Sequence, residues 1–161
     1  MREAIGGTWL FGLVITFIVF FASFLAVSIN YSKAFNVKNN VVDLISKYEG
    51  NNNCTRKKIA EYLRTTGYLV MGGCPEKDDT GKCLYSGYDL NGELITENKA
   101  YYWIKKDSTV GSNTVIDKHY YRVVIFFKID LPMVGDLTTF QIKGETEAIY
   151  FANDKSNLTC K

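Results

Sequence analysis

AIGGTWLFGLVITFIVFFASFLAVSINYS, residues 4–32, carries no charged side chain, and Lys33 is the first to break it. A bilayer core of about 30 Å takes about 20 apolar helical residues, so this run is long enough to span. The buried core helix of a soluble protein is usually much shorter. Ala26-Val27-Ser28 resembles a small-x-small cleavage site. The apolar stretch, however, exceeds the usual signal core of about 7–15 residues, so a retained anchor is expected.

Beyond the anchor the helical pattern continues. Ala34, Val37, Val41, Leu44 or Ile45, and Tyr48 recur at intervals of three and four, with Asn36, Asn39, Asn40, Asp43, Ser46 and Lys47 between them. That is one apolar stripe of helical period. Gly50 and the three asparagines after it are a stop signal. A single helix of about 45 residues would be about 65–70 Å long. The expected organisation is a transmembrane or assembly helix over 1–32, its amphipathic continuation over 33–50, and an extracytoplasmic domain over 51–161.

The remainder reads as mixed α and β. A second helix is expected from Thr55 to Thr66, ended by Gly67. Tyr68 to Met71 is a candidate strand, and Gly72-Gly73 a break. Residues 74–99 read as loop-rich. Within them Asp89-Leu-Asn-Gly-Glu93 signals a hairpin turn of type I′. Ala100 to Lys105 reads as a strand, and Ser108 to Asn113 as a polar loop. Tyr120 to Leu131 is the strongest strand, with Tyr121, Val123, Ile125, Phe127, Ile129 and Leu131 on one apolar face. Pro132 ends it, and residues 133–137 connect it to a return strand. There Phe140, Ile142, Ala148 and Tyr150 line one face, opposite Lys143, Glu145 and Glu147. The fold class is therefore α+β: a long N-terminal helix packed on a small antiparallel sheet.

Composition excludes several functions. With 19 basic and 17 acidic residues the net charge is +2, too balanced for nucleic-acid binding through bulk charge. His119 is the sole histidine, which argues against His-based triads and multi-His metal sites. Asp78-Asp-Thr-Gly81 and the 89–93 turn lack the alternating ligand series of a calcium loop. Glu145 and Glu147 read as a solvated strand face. No cofactor, metal or enzymatic activity is expected.

Four cysteines, Cys54, Cys74, Cys83 and Cys160, all follow the anchor. Flanking charge nearly ties or even favours a cytoplasmic C-terminus, whereas an even cysteine count in a small domain points the other way, to disulfides and an oxidising compartment. The C-terminal domain is accordingly placed outside the cell. Four cysteines allow three pairings. Cys74–Cys83 would close a short loop, and Cys54–Cys160 would pin the tail. Two glycosylation sequons, at Asn53 and Asn157, matter only where that machinery exists. Tyr101, Tyr102 and Trp103 are candidate ligand-facing aromatics, with core packing as the alternative.

The anchor has its own pattern. Phe17, Phe20, Phe21 and Phe24 share a helical face, and Ala22 and Ala26 form a small-xxx-small pair that would permit close helix approach.

An apolar N-terminal helix continued as an amphipathic helix under a small disulfide-bearing sheet resembles the type IV pilin superfamily. The closest likeness is to TadE-like minor pilins or pseudopilins of tight-adherence systems, especially Gram-positive ones. It is carried by Ile5-Gly-Gly-Thr-Trp-Leu-Phe-Gly12 and the run after it, and by Ile129-Asp-Leu-Pro-Met-Val-Gly-Asp-Leu137 leading into Phe140–Thr146. The resemblance implies a structural subunit of a pilus-like or pseudopilus surface or secretion filament. Its partners would be other pilin-like subunits, assembly machinery and the bacterial membrane. It implies cleavage after Gly6 or Gly7, yet the fifth residue onward is then Phe11 or Gly12 where the family carries Glu. Glu3, before the run, would be the acid left to pair with a neighbouring N-terminus. The alternative function is a monomeric, membrane-tethered binding domain or adhesin.

Overall fold

A computed structural model of the chain describes residues 2–96, 98–109, 118–131 and 135–150. The long helix is continuous: α1 runs Arg2–Lys47 over 46 residues, about 69 Å at 1.5 Å per residue. It ends as a Schellman turn. Glu49 takes the left-handed conformation at φ 55°, and the Gly50 amide donates to the Ile45 carbonyl at 3.0 Å. Helix α2, Asn53–Thr66, begins one turn later.

The corner between the helices is built from buried polar groups. Asn52 and Thr55 are both fully buried. The Asn52 carboxamide accepts the Thr55 amide at 2.9 Å and donates to the Tyr48 carbonyl at 2.8 Å. The Thr55 hydroxyl donates to the Gly50 carbonyl at 2.7 Å. One side chain thus caps α2 and ties it to the end of α1. Gly67, at φ 67°, ends α2 in a second Schellman turn.

The strands are β1 (Gly72–Gly73), β2 (Ser86–Tyr88), β3 (Leu94–Ile95), β4 (Lys99–Ala100), β5 (Tyr102–Thr109), β6 (Lys118–Leu131) and β7 (Gly135–Glu145). The main sheet is antiparallel throughout, in the order β3-β2-β5-β6-β7. The fold is α+β, an apolar helix whose second half lies on a small antiparallel sheet. Ala34 is buried, and Val37, Val41 and Ile45 are buried against Tyr121, Val123 and Ile125 of β6 and their neighbours. Each of the last three aliphatics contributes about 1.5–3 kcal/mol on burial. Ile45, not Leu44, takes the last core position.

Several expectations need correction. The outer face of the sheet is a second core, because Tyr85, Ala100, Trp103, Val124 and Phe126 are buried there. Val70, Cys74 and Cys83 from the 68–83 segment pack over it. Tyr68 to Met71 is therefore a covering segment and not a strand. Gly72-Gly73 pairs with β4 instead of breaking the chain. Gly72 is needed because a Cβ there would overlap the Phe126 ring, and its carbonyl accepts the Trp103 indole N–H at 3.1 Å. The Asn-Gly hairpin joins β2 to β3, but only Gly92 has positive φ, at 78°, so the turn is not type I′. Ala148 and Tyr150 lie beyond β7. The Thr146 hydroxyl accepts the Tyr121 amide at 3.0 Å, and Ile149 then bridges to His119.

Candidate functional site

Among the described residues, the longest run of exposed large apolar side chains lies on the first half of α1. This helix is long and apolar enough to cross a membrane, and its most apolar window is unburied by the rest of the fold. Phe17, Phe20, Phe21 and Phe24 are all exposed, by 48% to 66%. Phe17 and Phe21 touch with ring centroids 4.6 Å apart. At 100° per residue these four rings share one face. Ala22 and Ala26 lie on nearly the opposite face. Ala22 is exposed and Ala26 half-buried.

Helix hydroxyls are satisfied locally. Thr16 donates to the Gly12 carbonyl at 2.9 Å and Ser23 to the Val19 carbonyl at 2.8 Å. Neither presents a free donor to an apolar surrounding, which suits a lipid-facing or helix-facing surface. The side chain of Glu3 and the whole of Cys160 lie outside the described residues.

A second feature was not read from the sequence. Val19, Ser23, Ala26, Val27 and Asn30 are half-buried, while their neighbours on the helix are exposed. They extend the Ala34–Ile45 stripe toward the N-terminus at the same spacing of three and four. The signal was present as small and polar residues in register with the core stripe. At the junction an aromatic row crosses from helix to sheet. Tyr31 meets Phe127 edge-on at 5.8 Å, and Phe127 stacks on Phe140 at 5.4 Å. Phe35 stacks on Tyr31 at 6.3 Å and carries the Lys38 ammonium 4.2 Å from its centre.

The aromatics expected to face a ligand are placed differently. Tyr102 is fully buried in the helix-side core and Trp103 is 3% exposed in the outer core. Successive strand residues point to opposite faces, and both faces are covered. Tyr101 alone remains half-exposed. Tyr102 stacks on Tyr88 at 5.3 Å.

Cys74 and Cys83 are disulfide-bonded, with Cα atoms 5.9 Å apart, and Cys54 is disulfide-bonded as well. The short loop also holds itself through Asp78. That carboxylate accepts the Thr80 hydroxyl at 2.7 Å and the amides of Lys82 and Thr80 at 2.8 and 3.0 Å. The Thr80 hydroxyl, then the Lys82 amide, hold Asp78 below the usual aspartate range. Its lone pairs are directed into the turn, as are those of Asp89. No group of three metal-ligating side chains occurs among the described residues. Thr55 of the Asn53 sequon is buried in the α2 cap. His119 exchanges backbone hydrogen bonds with Ile149 at 3.0 and 2.9 Å. Glu145 faces Arg122 at 3.7 Å, which in turn reaches Asp107 at 3.2 Å, an exposed ion-pair chain worth little.

Comparison with family models, curated proteins and solved structures gives no match.

Proposed function

We propose that this chain is a structural subunit of a pilus-like or pseudopilus surface filament, similar to the TadE-like pilins, and that it assembles through the first half of α1. In this reading the apolar half is held in the bacterial membrane and then packs against equivalent helices. The disulfide-braced domain faces outward. One observation carries the reading: a single helix of 46 residues whose second half is sheathed by its own domain and whose apolar first half has large side chains exposed. An anchor needs only length, whereas a shared spine also needs rigidity across the junction, which the unbroken helix provides. The bridged Cys74–Cys83 pair supports an oxidising location.

Ala22 is the position to test. It is exposed, small and off the Phe face, so with Gly7 and Gly12 it is one of the places on this helix where a second helix could approach closely. In cells expressing the full chain, Ala22→Leu should remove the protein from sheared, detergent-free polymer while leaving it in the membrane fraction. Wild-type protein found only as a membrane-bound monomer would sink the filament reading.

A further inference from the structure

Strands β6 and β7 do not stop where the domain stops. Phe127 pairs with Phe140, and the ladder then continues through Ile129↔Thr138 to Leu131↔Gly135. Its direction is fixed by two contacts with α1. Gly144 of β7 lies against Lys38 and Val42, and Phe127 lies against Tyr31. The hairpin therefore runs toward the N-terminus of the helix, past Tyr31. Four further residues of strand reach about 13 Å. Eight residues of helix, Tyr31 back to Ser23, rise about 12 Å. The half-buried stripe of Asn30, Val27, Ala26 and Ser23 occupies that same interval.

The hairpin's end and the membrane-long helix thus compete for the same height. Hydrocarbon does not tolerate an open strand edge, whose amides and carbonyls would lack partners. The headgroup layer tolerates such an edge, since it is hydrated. If the hairpin is confined to that layer, the hydrocarbon segment must end near Ser23. Counting back, Ala4 to Ser23 is 20 uncharged residues, about 30 Å of helix, which is the thickness of the hydrocarbon core. Arg2 and Glu3 then fall at the opposite surface. Placing Trp9 and Tyr31 at the two interfaces would also span about 33 Å, but would sink the hairpin into the acyl chains.

We propose that the β6–β7 hairpin rests in the lipid headgroup layer and sets the depth of α1, leaving Ala4–Ser23 as the hydrocarbon-crossing segment. The partner is a phospholipid bilayer surface. The inference rests on the helix crossing a membrane and is independent of assembly into filaments.

The test uses the full chain in phosphatidylcholine nanodiscs, loaded so that each disc holds one copy. Free thiols are introduced singly as Thr138→Cys, Ser28→Cys and Val14→Cys and labelled with an environment-sensitive fluorophore. The described native cysteines are disulfide-bonded and do not compete. Thr139→Cys, an exposed position one residue on, substitutes if Thr138→Cys fails to fold. Lipids carrying a quencher on the headgroup, or at the middle of the acyl chain, report depth. The expected result is that the labels at 138 and 28 both lose most intensity to headgroup quencher, and the label at 14 to acyl-chain quencher. A label at 28 that responds to the acyl-chain quencher places the helix too deep and overturns the proposal. So does a label at 138 quenched only by aqueous iodide, or reached by neither iodide nor either lipid quencher. Loss of quenching at 14 would instead overturn the membrane crossing itself.

Discussion

Gly144 faces Lys38 so closely that a Cβ at 144 would come within 2.7 Å of the lysine Cδ, and within 3.1 Å of Val42 Cγ2. This is where β7 lies on the helix, and a bare backbone is what permits the approach. Gly144→Val should destabilise the fold by about 1–3 kcal/mol through overpacking. Lys38→Ala in the same chain should recover part of that, because a flexible side chain is half the obstacle. Denaturant unfolding of both variants checks it; a Gly144→Val protein with a wild-type midpoint would show that the strand can lift freely.

Asn52 holds the corner between α1 and α2. Asn52→Ala removes the Thr55 cap and leaves the Tyr48 carbonyl short of a donor. The expected loss is about 1–3 kcal/mol, read as a lower melting temperature. Asn51→Ala next to it loses a bond to the Tyr88 hydroxyl in a less buried place and should cost less.

Two tyrosines, Tyr68 half-buried and Tyr102 fully buried, should behave oppositely. Burial raises the pKa of both Tyr68 and Tyr102. The Tyr68 hydroxyl donates to the Phe126 carbonyl, whereas the Tyr102 hydroxyl has no hydrogen-bond partner among the described residues. Tyr68→Phe should cost about 1 kcal/mol, and Tyr102→Phe should be neutral or stabilising. The pH dependence follows from the raised values. Unfolded tyrosine ionises near pH 10, so this stability is fully present below about pH 10 and is lost as pH rises toward the folded values. Each Phe variant should therefore lose less stability above about pH 10 than the parent. Equal alkaline sensitivity in all three proteins would contradict the assignment.

The Cys74–Cys83 bridge closes a loop of nine residues' separation over the outer core. Replacing both by serine should cost about 2–3 kcal/mol by the loop-entropy relation. The loss should appear first at the outer face, as faster hydrogen exchange at Trp103 and Val124 than at Val123 and Ile125. Uniform exchange across both faces would mean the bridge does not hold that segment down.

The helix and its stripe were legible because period carries the information: Ala34, Val37, Val41 and one of Leu44 or Ile45 recur every three or four residues, and Ala34, Val37, Val41 and Ile45 are the buried ones. Strand β6 was legible for the same reason, but the burial of Val124 and Phe126 was not. Their cover comes from 68–83, a segment without period whose position depends on one disulfide and one indole hydrogen bond. The end of β7 misled the alternation. Residues 146–150 keep a two-residue pattern, yet Thr146 substitutes its hydroxyl for a ladder carbonyl and the strand stops. At the candidate site, exposure of the Phe stripe followed from the sequence. The half-buried run from Val19 to Asn30 did not, since serine, alanine and asparagine in a membrane-length helix signal nothing until a hairpin is seen to descend beside them. Tyr102 and Trp103 failed as ligand-facing residues because a sheet covered on both sides leaves no face for them.

The absence of any hinge between Arg2 and Lys47 has a mechanical consequence. A domain on a flexible tether forgets the direction of its anchor within a few bonds, whereas this one is welded to a rod. If the helix leans by about 20° in a bilayer, its far end is carried sideways by about 24 Å over its length. The domain at the end of such a rod acts as a pointer whose bearing follows the tilt of the helix, and a push on either end is felt at the other.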